Sequence, residues 1–240
     1  MAEPQTAPTR KKRRRRVRYA APLGFLVLFF AIIGVIATVI FSVKTVQRWA
    51  DDAPLRHELS LFLNPAMQQY LPSFDDAGTV EEQDMLMLAA IYDIAETERV
   101  RQLREKDDTC RYQLEEKQWR MIVPQADVDA SFAALFGSKG IREHKTVGEA
   151  EYDAAGSCYY VPLTMTTSDF VPVMDTVKKR GDTYVVRVAY VADADIQVDE
   201  WGNAVTPLPS MGKYVQRFTV EKKDGSWVLL AVDTENVTQK

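Results

Sequence analysis

The chain has 240 residues, 46% of them apolar and 27% charged, a composition that excludes wholesale disorder. Its formal net charge of −4 hides an asymmetry, because residues 1–18 hold eight of the 30 basic groups and one of the 34 acids. The remaining residues carry 22 basic and 33 acidic groups, and such an acidic body argues against nucleic-acid binding, since phosphates would meet a negative surface.

Residues 20–43 contain no charged side chain and directly follow the basic cluster Lys11, Lys12, Arg13, Arg14, Arg15 and Arg16. As a helix, 24 such residues would extend about 36 Å, enough to cross a hydrocarbon core of about 30 Å with some tilt. The cluster holds the N-terminus in the cytosol, because moving so many charges across is unfavourable, and Lys44 and Arg48 beyond the span do not outweigh it. The expected organisation is a cytosolic tail (1–18), a transmembrane helix (19–44), a helical membrane-proximal segment (45–78), an extracytoplasmic α+β domain (79–235) and a short tail (236–240). The span is longer than the apolar core of a cleavable leader, and its exit offers no small-residue cleavage site, so it reads as an uncleaved anchor in the plasma membrane. The basic cluster also suits anionic lipid headgroups. Gly34, Thr38 and Ser42 recur every four residues along the span, a spacing that lets two copies of the helix approach closely and form a homo-oligomer.

Beyond the span, Leu55, Leu59, Phe62, Leu63, Met67, Tyr70 and Leu71 recur at helical spacing, and Asn64-Pro65 is expected to end one helix and start another. Thr79 and Glu82 have the spacing of a capping box at the head of a longer helix. Residues 85–95 of that helix are apolar nearly all round and read as buried, while residues 96–108 are charged and read as a solvated continuation. Residues 119–123 form a short strand or extended link, stopped by Pro124. A helix over 127–136 buries Val128, Phe132, Leu135 and Phe136 and leaves through Gly137. Residues 159–163 are β-prone. Segments 170–178 and 183–192 flank Lys179-Arg180-Gly181-Asp182, and segments 214–222 and 227–232 flank Lys223-Asp224-Gly225-Ser226, which are two hairpin signals. Helices first and antiparallel strands last give an α+β domain with the helices packed on one bent sheet.

This order, with the closing segment from Phe218 to Val232, resembles the NTF2-like (cystatin-like) superfamily. The resemblance implies a bent antiparallel sheet wrapped around helices, with a cone-shaped pocket. Many anchored extracytoplasmic proteins of Gram-positive bacteria share the layout, as does the inner-membrane scaffold component of type IV secretion systems. The fold serves enzymes and non-catalytic scaffolds alike.

The chemistry-bearing residues are sparse. His57 and His144 read as solvated, and no nucleophile elbow, phosphate loop or dinucleotide fingerprint is present. The acids Asp193, Asp195, Asp199 and Glu200 do not follow a calcium-loop pattern, so no cofactor or metal is expected. Asp84 and Asp93 sit on the otherwise apolar long helix, where a cavity-facing carboxyl with a raised pKa acts as a general base and an arginine-paired one is merely structural. Cys110 and Cys158 either pair as a disulfide in an oxidising compartment or remain buried thiols. The reading that follows is a membrane-tethered, non-catalytic interaction or assembly module with a protein partner. Its alternatives are a small-ligand-binding or enzymatic NTF2-like domain and a scaffold of a secretion or conjugation machine.

Overall fold

A computed structural model describes residues 53–81, 83–106, 109–115, 118–137, 140–197 and 205–236. The basic cluster Lys11 to Arg16, the expected span with its Gly34, Thr38 and Ser42 face, Glu82, Asp199 and Glu200 lie outside these residues. No helix among the described residues is long and apolar enough to cross a membrane. By contacts the chain divides between Leu55 and Arg56, and the elements below belong to the second unit save for the first three residues of α1.

Helix α1 occupies residues 53–68 and runs without a break through Asn64-Pro65, where the sequence reading placed a boundary. Pro65 has no amide to offer the carbonyl of Leu61. Burial of Leu59, Leu63, Ala66 and Met67 along one face holds the helix together across this gap. The helix ends at Tyr70, whose φ of 48° is left-handed. The Tyr70 ring lies edge-on to Tyr190 at 4.9 Å and near Tyr214 and Phe170 at 6.1 and 6.3 Å, and this aromatic packing supports a backbone conformation that favours glycine. Phe74 then pairs with Val232 as an isolated bridge and ties the connector to the last strand.

Thr79 caps no helix. Its hydroxyl donates to the carbonyl of Asp76, whose carboxylate accepts from the Gly78 amide, so 76–79 is an Asx-type turn. Helix α2 starts later, at Asp84, and runs to Glu105. Gln83 precedes it without a side-chain cap, and its buried amide instead accepts from the Arg142 backbone. The first half of α2 buries Leu86, Met87, Ala89, Ala90, Ile91, Tyr92, Ile94 and Ala95, as the apolar run requires. Helix α3 (Gln125–Phe136) buries Val128, Phe132, Leu135 and Phe136 and leaves through Gly137 at φ 85°. It packs against α2 on one side and the last strand on another.

The strands form two antiparallel sheets, where the sequence reading gathered them into one. In the first, β1 (Gln113–Leu114), β2 (Arg120–Pro124), β3 (Glu151–Asp153) and β4 (Cys158–Pro162) lie in the order β1-β2-β4-β3. In the second, β5 (Phe170–Arg180), β6 (Thr183–Ala192), β7 (Tyr214–Lys223) and β8 (Ser226–Asn236) form a meander. Both expected hairpins are present. Gly181 at φ 62° turns the first, and Asp224 and Gly225 at φ 51° and 87° turn the second, as a two-residue loop with both φ angles positive demands. Bulges interrupt β5 at Met174/Thr176 and the β7–β8 pairing at Thr219/Val220. On β6 Val186, Val188 and Tyr190 on one face are fully buried, and Ala189 and Val191 on the other are buried too. The strap through Pro209–Met211 covers that second face. Gly212 is needed there because a Cβ would come within 2.8 Å of the Ala189 Cβ.

Inside the meander, the Tyr190 hydroxyl donates to Gln216, whose amide donates to the Leu71 carbonyl and the Thr234 hydroxyl. This closed polar network fixes the end of α1 against β6, β7 and β8 without leaving a buried group unpaired.

Candidate functional site

A groove of about 450 Å³ opens between α1 and the charged half of α2. From α1 come Leu61, Asn64 and Pro65; α2 presents Asp93, Glu96, Thr97 and Val100 and then the charged turn Arg101, Arg104 and Glu105; Arg111 closes the end. Leu61 is 64% exposed, and Val100 and Leu103 on the neighbouring face of α2 are also exposed. The same α1 that buries Leu59 and Leu63 therefore shows an apolar side chain on its opposite face.

The second half of α2 is not simply solvated. Glu98 is 2% exposed, and its carboxylate is the hub of the groove wall. Arg101 donates to it twice, at 2.6 and 3.2 Å, and Arg111 donates twice more, from its backbone amide at 3.0 Å and its Nε at 3.1 Å. These bonds, those of Arg101 foremost, hold the Glu98 carboxyl down to about 2, against 4.5 ordinarily, although burial opposes them. Arg101 also reaches Glu105 at 2.8 Å and the Thr109 carbonyl. Glu96 is engaged by Arg99 at 2.6 and 2.7 Å.

Asp93 lines the groove and also a smaller recess of about 180 Å³ beside Glu98 and Tyr112. Burial raises its pKa, against a hydrogen bond with Ser131 that lowers it. The Ser131 hydroxyl has one proton and sits 2.9 Å from the Ala90 carbonyl and 3.1 Å from Asp93 Oδ2. Both oxygens accept from this one hydroxyl, whose proton is shared between them. Asp84, by contrast, is an exposed ion-pair partner of Lys145 at 2.7 Å and plays no part in the groove.

His144 is a second departure from the sequence reading. Its side chain is 12% exposed, with Nδ1 2.9 Å from the Tyr159 hydroxyl and Nε2 3.3 Å from Asp129. Tyr152 packs 5.7 Å from the imidazole and donates to Gln125 at 2.7 Å. The partners come from α3, β3 and β4, so no local spacing announces them. Burial, first of all, pushes the Tyr159 phenol upward. His57 is exposed, as expected.

Cys110 and Cys158 are free thiols, each with its pKa raised chiefly by burial. Cys110 precedes β1 and Cys158 opens β4, and β2 lies between those strands. Asp193 and Asp195 form a short 3-10 turn in which Asp195 pairs with Lys213 at 3.0 Å. Among the described residues no cluster of three or more His, Cys, Asp or Glu side chains is placed to hold a metal.

No family model, curated protein or solved structure matches the chain. The groove's own geometry therefore carries the functional argument.

Proposed function

We propose that the chain is a membrane-tethered interaction module that engages a protein partner through the groove between α1 and α2. The tether is the uncharged stretch 20–43 behind the basic cluster, with the N-terminus in the cytosol and the α+β domain outside. The observation that carries the reading is the exposure of Leu61, Val100 and Leu103 along two adjacent helices, beside a concave site edged by charge. Apolar side chains rimmed by polar groups are what a docking surface needs: burying them drives association, and the rim sets orientation. The NTF2-like reading of the domain is supported by helices that precede a four-stranded meander and by bulges that bend its strands.

Photo-crosslinking in intact cells tests the proposal. A crosslinking side chain at Leu61 or Val100 gives a discrete adduct with another protein, and the same group at exposed Gly140, away from the groove, gives none. Equal labelling from both positions, or none from either, contradicts it. Protease added to protoplasts tests the topology: it digests the domain and spares the basic tail.

A second reading, a small-ligand site, is favoured by one observation, the partly buried carboxyl of Asp93, its pKa raised by burial, on the lining of a cavity of ligand size.

A further inference from the structure

The arginines of the groove wall are not equivalent. Arg101 is consumed by Glu98, Glu105 and the Thr109 carbonyl. Arg111 is fixed to Glu98 through its amide and its Nε, which leaves both terminal Nη groups without a partner among the described residues. The Arg104 side chain, one turn along α2 from Val100, likewise has no hydrogen-bond or ion-pair partner among the described residues. The acids are accounted for in the opposite sense. Glu98, Glu105 and Glu96 are each held by an arginine, and Asp93 has its hydrogen bond with Ser131. The groove lining carries three arginines and three acids, and what is left without a partner among the described residues is N–H groups of Arg104 and Arg111.

We propose that Arg104 and the Glu98-anchored Arg111 form a carboxylate-recognition pair, and that the groove takes an acidic peptide segment whose neighbouring apolar side chain lies on Leu61, Pro65 and Val100. This rests on the interaction-module reading and names the chemistry of the partner. Three features carry it. The guanidinium of Arg111 is already oriented, because two bonds to a carboxylate that is 2% exposed fix its backbone and its Nε. A planar fork with two free N–H edges matches a carboxylate in a way a lysine does not. The apolar strip continues past the groove to Leu103, 66% exposed, so a chain running along α2 covers it where a small free acid does not. Glu98 is then a positioning residue: it touches no ligand and acts by aiming Arg111.

The test uses the full chain in nanodiscs and fluorescein-labelled decapeptides of alternating leucine and glutamate, with glutamine and lysine counterparts, read by anisotropy. The glutamate peptide binds most tightly and weakens as salt rises, the glutamine peptide binds about tenfold less well, and the lysine peptide does not bind. Arg104→Gln with Arg111→Lys, which keeps one charge and removes the fork, lowers affinity for the glutamate peptide to that of the glutamine peptide. Glu98→Gln weakens it several-fold with both arginines present, and the double variant Glu98→Gln, Arg111→Lys is no worse than Arg111→Lys alone, a non-additivity that a merely structural Glu98 would not give. Equal affinity for glutamate and glutamine peptides, or no effect of the arginine changes, overturns the proposal. Hexanoate that displaces the peptide at micromolar concentration overturns the choice of a peptide in favour of a small acid. The failures are separable. Leu61→Asp abolishes binding of both peptides if the groove is the site, so loss of charge preference with the Leu61 effect intact sinks only the carboxylate pair. Peptides indifferent to Leu61→Asp, with no crosslink from that position, sink the interaction reading itself.

Discussion

The two halves of α2 are built on opposite logic. Residues 84–95 bury a nearly continuous apolar surface against α3 and the core, and their stability is distributed over many small contacts. Residues 96–105 expose most of their side chains and concentrate their order in one buried carboxylate with four hydrogen bonds. The first half tolerates no loss of volume. The second is held by a charge network and leaves its outer face for recognition. A helix that looks in sequence like a core segment with a solvated tail thus contains two devices joined end to end.

The comparison breaks first at the core. Ile91→Ala or Phe132→Ala is expected to destabilise the protein by about 3–4 kcal/mol, because both side chains are fully buried and their neighbours cannot collapse into the space. Equilibrium urea denaturation of the full chain in micelles measures this, and a loss under about 1 kcal/mol would mean that the α2–α3 layer is loosely packed. Glu98→Ala is expected to cost about 2–3 kcal/mol, since it deprives Arg101 and Arg111 of their shared acceptor. A change near zero would make the second half solvated after all.

The two carboxyls of α2 respond to pH in opposite directions. The Glu98 carboxyl is depressed in the folded state, so its stabilisation is fully present above about pH 4.5 and is lost as pH falls toward 2. The Asp93 carboxyl is raised, so the folded state is penalised at neutral pH and the penalty disappears below the ordinary carboxyl range. Asp93→Asn is therefore expected to stabilise the protein at pH 7 by about 1 kcal/mol or less, since it removes a partly buried charge while its amide oxygen still accepts from Ser131, and to change nothing at pH 3. Thermal melts of the variant at the two pH values check both signs. The smallest effect is at the recognition face: Arg104→Gln and Leu103→Ser are expected to shift stability by no more than about 0.5 kcal/mol while altering peptide binding.

Legibility in the sequence follows the range of the forces involved. Both hairpins of the meander were readable because Gly181 and Asp224-Gly225 supply the positive φ angles that two-residue loops require. Helix α3 was readable from a buried stripe four residues apart, and the core half of α2 from an unbroken apolar run. Where the reading went astray, distant partners overrode a local signal. Asn64-Pro65 has the chemistry of a helix start, but the burial of Leu63, Ala66 and Met67 carries α1 through it. Thr79 has the spacing of a cap and is drawn into a turn by Asp76. The site was less legible still. Glu98 sits in a charged run that looks solvated, and Arg111, thirteen residues on, is what makes burying it tolerable. His144 looked solvated until Asp129, Tyr152 and Tyr159 converged on it from three elements. The clues at the surface were apolar side chains out of place: Leu61 off the buried stripe of α1, and Val100 and Leu103 in the charged half of α2.

The most direct test of the account is the protonation of Glu98, followed through its side-chain carboxyl carbon by nuclear magnetic resonance in the selectively labelled full chain across an acid titration. A midpoint near pH 2 means that the carboxylate carries its four hydrogen bonds and aims Arg111 into the groove. A midpoint near 4.5 would mean that it stands in water, and the oriented guanidinium would go with it.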